Sequence, residues 1–268
     1  MAISLQSLSQ GVSIKAPRIV VLGVEKIGKT TFACGGHFEN GQLASVGSNR
    51  PVVISVKGEE GADALDVAKF PTVYNYQSVL DSLGALAQEQ HEFETVVIDS
   101  ASALEPLIWQ ATCEAGEKKS IEDFGYGKGY VLALDYWRRL CTGLDWLREN
   151  KGMSSIVIGH TRVKTMQDPE TDPYDAYIMD IHDKAANLLF RWADVILFCN
   201  TKKIVKSETG QAVEINAGQR YLFTRKTPSH PGGGRGVYGH LPVEIPLDWW
   251  GFQNAVNAAL ATNNPNKE

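Results

Sequence analysis

Cysteine is scarce in this chain. Four residues, Cys34, Cys113, Cys141 and Cys199, stand far apart, with no CxxC pair and no zinc-ligand spacing. That excludes a disulfide framework and a cysteine-held metal, and it predicts buried thiols in a reducing compartment. Long apolar runs are missing as well, and none approaches the ~18 residues that a membrane-spanning helix requires. The opening MAISLQSLSQ has neither a basic start nor an apolar stretch, so it does not read as a secretory signal. Internal repeats and clear linkers are also lacking. Together these absences predict one soluble, cytoplasmic domain over residues 1–268 with no membrane partner.

What is present is an ordinary globular composition. Of 268 residues, 43% are hydrophobic and 21% charged, which excludes disorder, collagen and coiled coil and allows a sizeable core. The net charge of −5 conceals an asymmetry. Between Asn200 and His240, seven basic residues (Lys202, Lys203, Lys206, Arg220, Arg225, Lys226, Arg235) face only Glu208 and Glu214. A basic segment on an acidic body can meet polyphosphate or nucleic acid there; equally, it can be a solvated hairpin with lysines on its outer face.

Five short β-branched runs read as buried parallel strands: RIVVLG (18–23), PVVISV (51–56), TVVIDS (95–100), SIVIGH (155–160) and ADVILFC (193–199). Helical spacing separates them, as in Val79, Leu83 and Leu86, or Leu134, Trp137, Leu140, Leu144 and Leu147. Strand–helix alternation predicts an α/β fold with a doubly wound, mostly parallel sheet. TKKIVKS and QRYLFTRK flank a turn-rich ETGQAVEINAG and predict antiparallel strands added to the sheet edge. PSHPGGGRG (228–236) predicts irregular chain, and a last helix after PLDWW carries Phe252, Val256 and Leu260 on one face. Two long segments, 113–129 and 161–184, follow the carboxyl ends of strands, the edge where open α/β sheets bind ligands.

The chemistry concentrates in GVEKIGKT, a full GxxxxGK[ST] match over Gly23, Val24, Glu25, Lys26, Ile27, Gly28, Lys29 and Thr30, with Thr31 opening a helix. Gly23 and Gly28 allow the backbone to curl so that successive N–H groups face phosphate oxygens, and the helix start adds a favourable dipole. Lys29 reaches the β- and γ-phosphates of ATP, and the Thr30 hydroxyl can ligate Mg²⁺. Asp99, ending an apolar strand, is the expected second holder of Mg²⁺. Ser100 follows it in place of a glutamate, so a general base has to come from another strand. Glu59 or Glu60, just past the second strand, is the candidate. His160, ending the fourth strand, is placed to sense the γ-phosphate and pass its presence to the following loop.

Taken in order, the GxxxxGKT loop, the EEGA turn, VVIDS, VIGH and a late TRK resemble the RecA-like recombinase core. Together with EDFGYGKGY, IGHTRVK, RWADVILF and LPVEIPLDWW, they are similar to phage-type nucleotide-binding ATPases of that superfamily, including single-strand annealing recombinases. The resemblance covers residues 18–252, the expected RecA-like P-loop core, leaving flexible tails at 1–15 and 261–268. It implies that the His160 strand lies between the phosphate-loop strand and the Asp99 strand. It also implies rings or filaments with ATP at subunit interfaces, single-stranded DNA as a partner, and association with a single-strand DNA-binding protein in a phage-infected host cytoplasm. Glu59 matches the family's catalytic glutamate without a gap, whereas Glu60 is one residue off. Arg225 and Lys226 match the basic fingers inserted into a neighbour's site. The loops after Asp99 and His160 match DNA-contact loops, with Tyr126, Tyr130 and Tyr177 as stacking candidates. The second of those loops is acidic, however (Asp168, Glu170, Asp172, Asp175), so the basic hairpin and PGGGRG compete with it as the DNA surface. The alternative is a P-loop kinase, a nucleotide switch or an assembly protein without DNA binding. Against the kinase, no arginine cluster precedes the last third of the chain.

Overall fold

The computed structural model describes residue 8 and residues 15–205, 212–214 and 218–262. Strand β1 (Arg18–Gly23) feeds helix α1 (Lys29–Ala33) and a hairpin of β2 (His37–Glu39) and β3 (Gln42–Ser45). Next come β4 (Pro51–Ser55), β5 (Ala68–Lys69), α2 (Tyr76–Gln88), β6 (Thr95–Asp99) and α3 (Ala101–Ala115). A 3-10 turn at Ile121–Phe124 leads into α4 (Lys128–Lys151), β7 (Ser154–Gly159), a hairpin of β8 (Thr161–Met166) and β9 (Tyr174–Met179), α5 (Asp183–Trp192) and β10 (Val195–Thr201). The small pair β11 (Lys203–Val205) and β12 (Ala212–Glu214) precedes β13 (Arg220–Phe223), β14 (Gly233–Gly234), β15 (Glu244–Pro246) and α6 (Trp249–Thr262).

The main sheet runs β15-β13-β10-β1-β7-β6-β4-β5, with β14 also on β10. The strands from β10 to β5 are parallel, and β13, β14 and β15 join antiparallel. This is an α/β fold with the mostly parallel sheet and antiparallel additions expected. The His160 strand, β7, lies between β1 and β6, as the RecA-like resemblance implied.

The β-branched runs are continuous because both faces of these strands are covered. Side chains alternate across β1. Val20 and Leu22 join a core with Val79, Leu83 and Leu86 of α2, Leu104 and Ile108 of α3, and Trp137, Leu140, Leu144 and Leu147 of α4. Ile19 and Val21 face the other layer, with Phe32 of α1 and Trp249 and Phe252 of α6. Asn75 caps α2 by accepting from the Ser78 N–H at 2.9 Å, and Gly152, left-handed at φ 68°, stops α4. The register sets Leu22 beside Gly159 and Phe198, and Asp99 beside Ser55. The carboxyl ends of five strands therefore meet at one edge.

Several expectations change. The TKKIVKS segment pairs with β12 in a separate two-stranded sheet, so of the two predicted edge strands only β13 extends the main sheet. Most of the turn predicted between them falls outside the described residues. PSHPGGGRG is not wholly irregular, because Gly233 and Gly234 pair with Ile196 and Val195. A Cβ on Gly234 would sit 2.5 Å from the Tyr238 backbone, so the glycine permits close approach there. The 161–184 segment is largely the β8–β9 hairpin. Helix α6 reaches Thr262, and Lys15 pairs with Glu149 at 2.6 Å; the rest of both expected tails, apart from Leu8, lies outside the described residues. All four cysteines are buried and unpaired. Among the described residues, no helix is long and apolar enough to cross a membrane.

Candidate nucleotide site

The carboxyl edge carries a cleft of about 530 Å³ lined by Glu25, Lys26, Gly28, Lys29, Thr30, Thr31, Gly58, Glu59, Gly61, Asp99, Ile158 and His160. Gly28 is left-handed, at φ 109°, which is the curl the loop needs. Gly23 is glycine for a different reason: a Cβ there would lie 2.5 Å from the Cys199 carbonyl oxygen on β10. Helix α1 spans only five residues, and Gly35 follows in the left-handed region. The expected dipole contribution is accordingly small, which leaves the loop's own amides and Lys29 as the groups that could meet an anion.

Lys29 is 6% exposed, and its Nζ donates to the Gly23 and Val24 carbonyls at 3.0 and 2.9 Å. Burial pulls its ammonium below the ordinary lysine range. Among the described residues no carboxylate lies within ion-pair distance of it, so the cleft is lined by a buried cation that lacks the close counterion a buried charge calls for. The Thr30 hydroxyl donates to Asp99 Oδ2 at 2.8 Å. Asp99 is 2% exposed, and burial pushes its carboxyl up to about 6 against the pull of Thr30. A hydroxyl and a carboxylate side by side at a phosphate cradle are the hard oxygen donors that Mg²⁺ prefers, so Thr30 and Asp99 would hold it.

Glu59 Oε1 accepts two hydrogen bonds, from Ser100 Oγ at 2.6 Å and from His160 Nε2 at 2.8 Å. Burial opposes charge on Glu59, yet those two bonds outweigh it and hold the carboxyl below its usual range. The same bond to Glu59 raises the His160 imidazole above its ordinary value. Both donors use Oε1; among the described residues Oε2 has no partner. Glu60 is exposed and does not line the cleft. His160 also donates its backbone N–H to Ser102 Oγ at 3.0 Å, and the β8–β9 hairpin leaves directly from it.

Ser100 was legible only as a missing glutamate. It caps α3, accepting from the Ala103 N–H at 3.1 Å, while orienting Glu59. Arg220 had no assigned role, and its Nη1 donates to the Ile27 carbonyl of the phosphate loop at 3.0 Å. Arg225 and Lys226 are exposed and lie beyond β13, which runs away from the loop; they do not line the cleft. Other members of the basic segment are engaged internally. Lys202 pairs with Glu244, and Arg235 binds Asp194 and the carbonyls of Arg191, Trp192 and Ala193.

No curated protein sequence matches this chain. A crystal structure of the RadB recombinase is similar over 82% of this chain and 86% of that one, at 16% identity and a TM-score of 0.42. The family model for the AAA domain matches residues 15–236, in keeping with the phosphate loop, the Thr30–Asp99 pair and the strand order around them, and the chain belongs to that AAA domain family.

Proposed function

We propose that this protein is a Mg²⁺-dependent ATPase of the RecA-like kind, slow or DNA-stimulated, that acts on single-stranded DNA in phage-type recombination or annealing as a ring or filament. The observation that carries hydrolysis is the Glu59 carboxylate, which lines the cleft, is held below its usual pKa range by two donors on Oε1, and among the described residues has no partner at Oε2. That second oxygen can orient a water and take its proton as general base. Lys29 and the loop amides hold the β- and γ-phosphates, and Thr30 with Asp99 positions the metal end. Bound Mg²⁺ supplies charge neutralisation at the transferring phosphoryl. His160, bonded to Glu59 and starting the β8–β9 hairpin, links the γ-phosphate position to a segment where DNA contact is expected. Arg225 and Lys226 remain exposed and available to a neighbouring protomer or to a DNA backbone.

One observation favours a second reading, a nucleotide switch or assembly protein without DNA. Asp168, Glu170 and Asp172 lie exposed or half-exposed beyond β8, and three of the seven basic residues are tied up inside the fold. Phosphate release with and without Mg²⁺ and a single-stranded oligonucleotide separates the two. Hydrolysis that the oligonucleotide accelerates, and that Glu59→Gln abolishes, supports the first. Nucleotide binding with no oligonucleotide binding at about 50 mM salt overturns the DNA assignment.

A further inference from the structure

Arg220 reaches the phosphate loop from outside the cleft. Its strand, β13, is antiparallel to β10, and the register sets Arg220 opposite Thr201 at the carboxyl edge. Leu247 N–H donates to the Arg220 carbonyl at 2.9 Å, which fixes its backbone. The guanidinium lies 4.6 Å from the Phe38 ring centroid, and its Nη1 donates to the Ile27 carbonyl at 3.0 Å. A Cβ on Gly28 would come within 2.9 Å of that same nitrogen, so the arginine packs directly on the Ile27–Gly28 peptide. Among the described residues no carboxylate forms an ion pair with it.

A trans peptide is planar, with its C=O and N–H pointing in opposite directions. A donor fixed on the Ile27 oxygen therefore aims the Gly28 N–H the other way. Gly28 lines the cleft and Ile27 does not, and among the described residues no backbone acceptor takes the Gly28 N–H. Lys29 grips the start of the loop at Gly23 and Val24 from within; Arg220 grips its far end from behind. A cation on the carbonyl also polarises the peptide and strengthens its N–H as a donor to an anion.

We infer that Arg220 is a positioning residue of the nucleotide site, orienting and polarising the Gly28 amide toward a phosphate without touching the nucleotide itself. The inference rests on the triphosphate reading of the cleft. Preorganisation of this kind acts on affinity and leaves the chemical step alone. Arg220→Ala is expected to weaken ATP and ADP binding about tenfold, the order expected for one charge-assisted hydrogen bond. It should raise KM by a similar factor and leave kcat within about twofold, because Glu59, Thr30 and Asp99 stay in place. Phe38→Leu, which removes the ring beneath the guanidinium, is expected to give a smaller loss. Fluorescent-nucleotide titration and initial-rate kinetics on the full chain read these effects. Should Arg220→Ala fail to fold, Arg220→Lys decides: it keeps the charge, loses the planar donor, and is expected to bind between wild type and alanine. Wild-type affinity in the folded alanine variant, or in the lysine variant should alanine not fold, overturns the inference. A drop in kcat with KM unchanged also overturns it. If the wild type itself binds no nucleotide, the reading of the cleft fails.

Discussion

Gly61 tests the proposed geometry around Thr30 and Asp99. It lies in the turn after β4, outside the left-handed region, so alanine can adopt its backbone. The obstacle is steric. A Cβ there would sit 2.7 Å from Thr30 Oγ1 and 3.2 Å from Thr30 Cβ, so the first contact is about 0.7 Å short of the 3.4 Å at which ordinary contact begins. Thr30 has little room to retreat, because its carbonyl accepts from Cys34 N–H at 2.9 Å and its hydroxyl is bonded to Asp99. Two relaxations are open. Thr30 can turn away and leave the buried Asp99 carboxylate without its donor, at a cost of about 1.5–3 kcal/mol. Alternatively the turn can back off and carry Glu59, two residues upstream, with it. Each displaces a group to which the proposed function gives a part in hydrolysis, by an appreciable fraction of an ångström, and a misplacement near 1 Å costs about a hundredfold in rate. Gly61→Ala is therefore expected to slow ATP hydrolysis about a hundredfold and to lower stability by about 1–3 kcal/mol. Gly84→Ala is the control. That glycine lies in α2 with nothing within 4 Å of an added Cβ, and the change is expected to stabilise by about 0.5–1 kcal/mol without altering turnover. Phosphate-release assays and urea unfolding of both variants give the answer. Wild-type turnover and stability in Gly61→Ala would refute the reasoning.

Glu59→Gln is expected to reduce hydrolysis by roughly 10²–10⁴ while retaining nucleotide binding, and Glu60→Gln to change neither; equal effects of the two would remove the general-base assignment. Trp137, fully buried between α4 and the sheet, is expected to cost about 3–5 kcal/mol on truncation to alanine in urea unfolding, and a loss below 1 kcal/mol would mean that the core is packed differently. Glu105 gives a pH prediction away from the site. Its two oxygens accept from the His182 N–H at 2.9 Å each, and burial pushes its carboxyl up to about 7, with Asp180 adding to the rise and Arg162 opposing it. Because the folded value lies above the ordinary one, the folded state holds this proton more tightly. The contribution is complete below about 4.5 and lost as pH rises through about 7, by up to about 3 kcal/mol. Glu105→Gln should flatten that part of the stability–pH curve, and an unchanged slope would place the proton elsewhere.

The parts of this molecule that read clearly from sequence are those whose causes are local or repeat along the chain. RIVVLG and TVVID announce strands buried on both faces, and the Gly28–Lys29–Thr30 run holds its conformational and chemical requirements within three residues. Asp99, Glu59 and His160 were legible one step further, because parallel strands ending at one edge bring together the residues just past their carboxyl ends. Ser100 and Arg220 were not. Ser100 acquires its role only when Glu59, 41 residues away, arrives beside α3, and Arg220 only when an antiparallel strand meets a loop 193 residues upstream. The basic segment shows the converse error, since a count of positive charges treats each as free to meet a partner. Guanidinium groups carry five donors in a planar fork, and a folded chain offers them unpaired helix-end carbonyls. Arg235 takes three such carbonyls at the end of α5 as well as Asp194, Arg220 takes the Ile27 carbonyl and Lys202 pairs with Glu244, so three of the seven charges counted are engaged within the fold, while Arg225 and Lys226 keep exposed side chains.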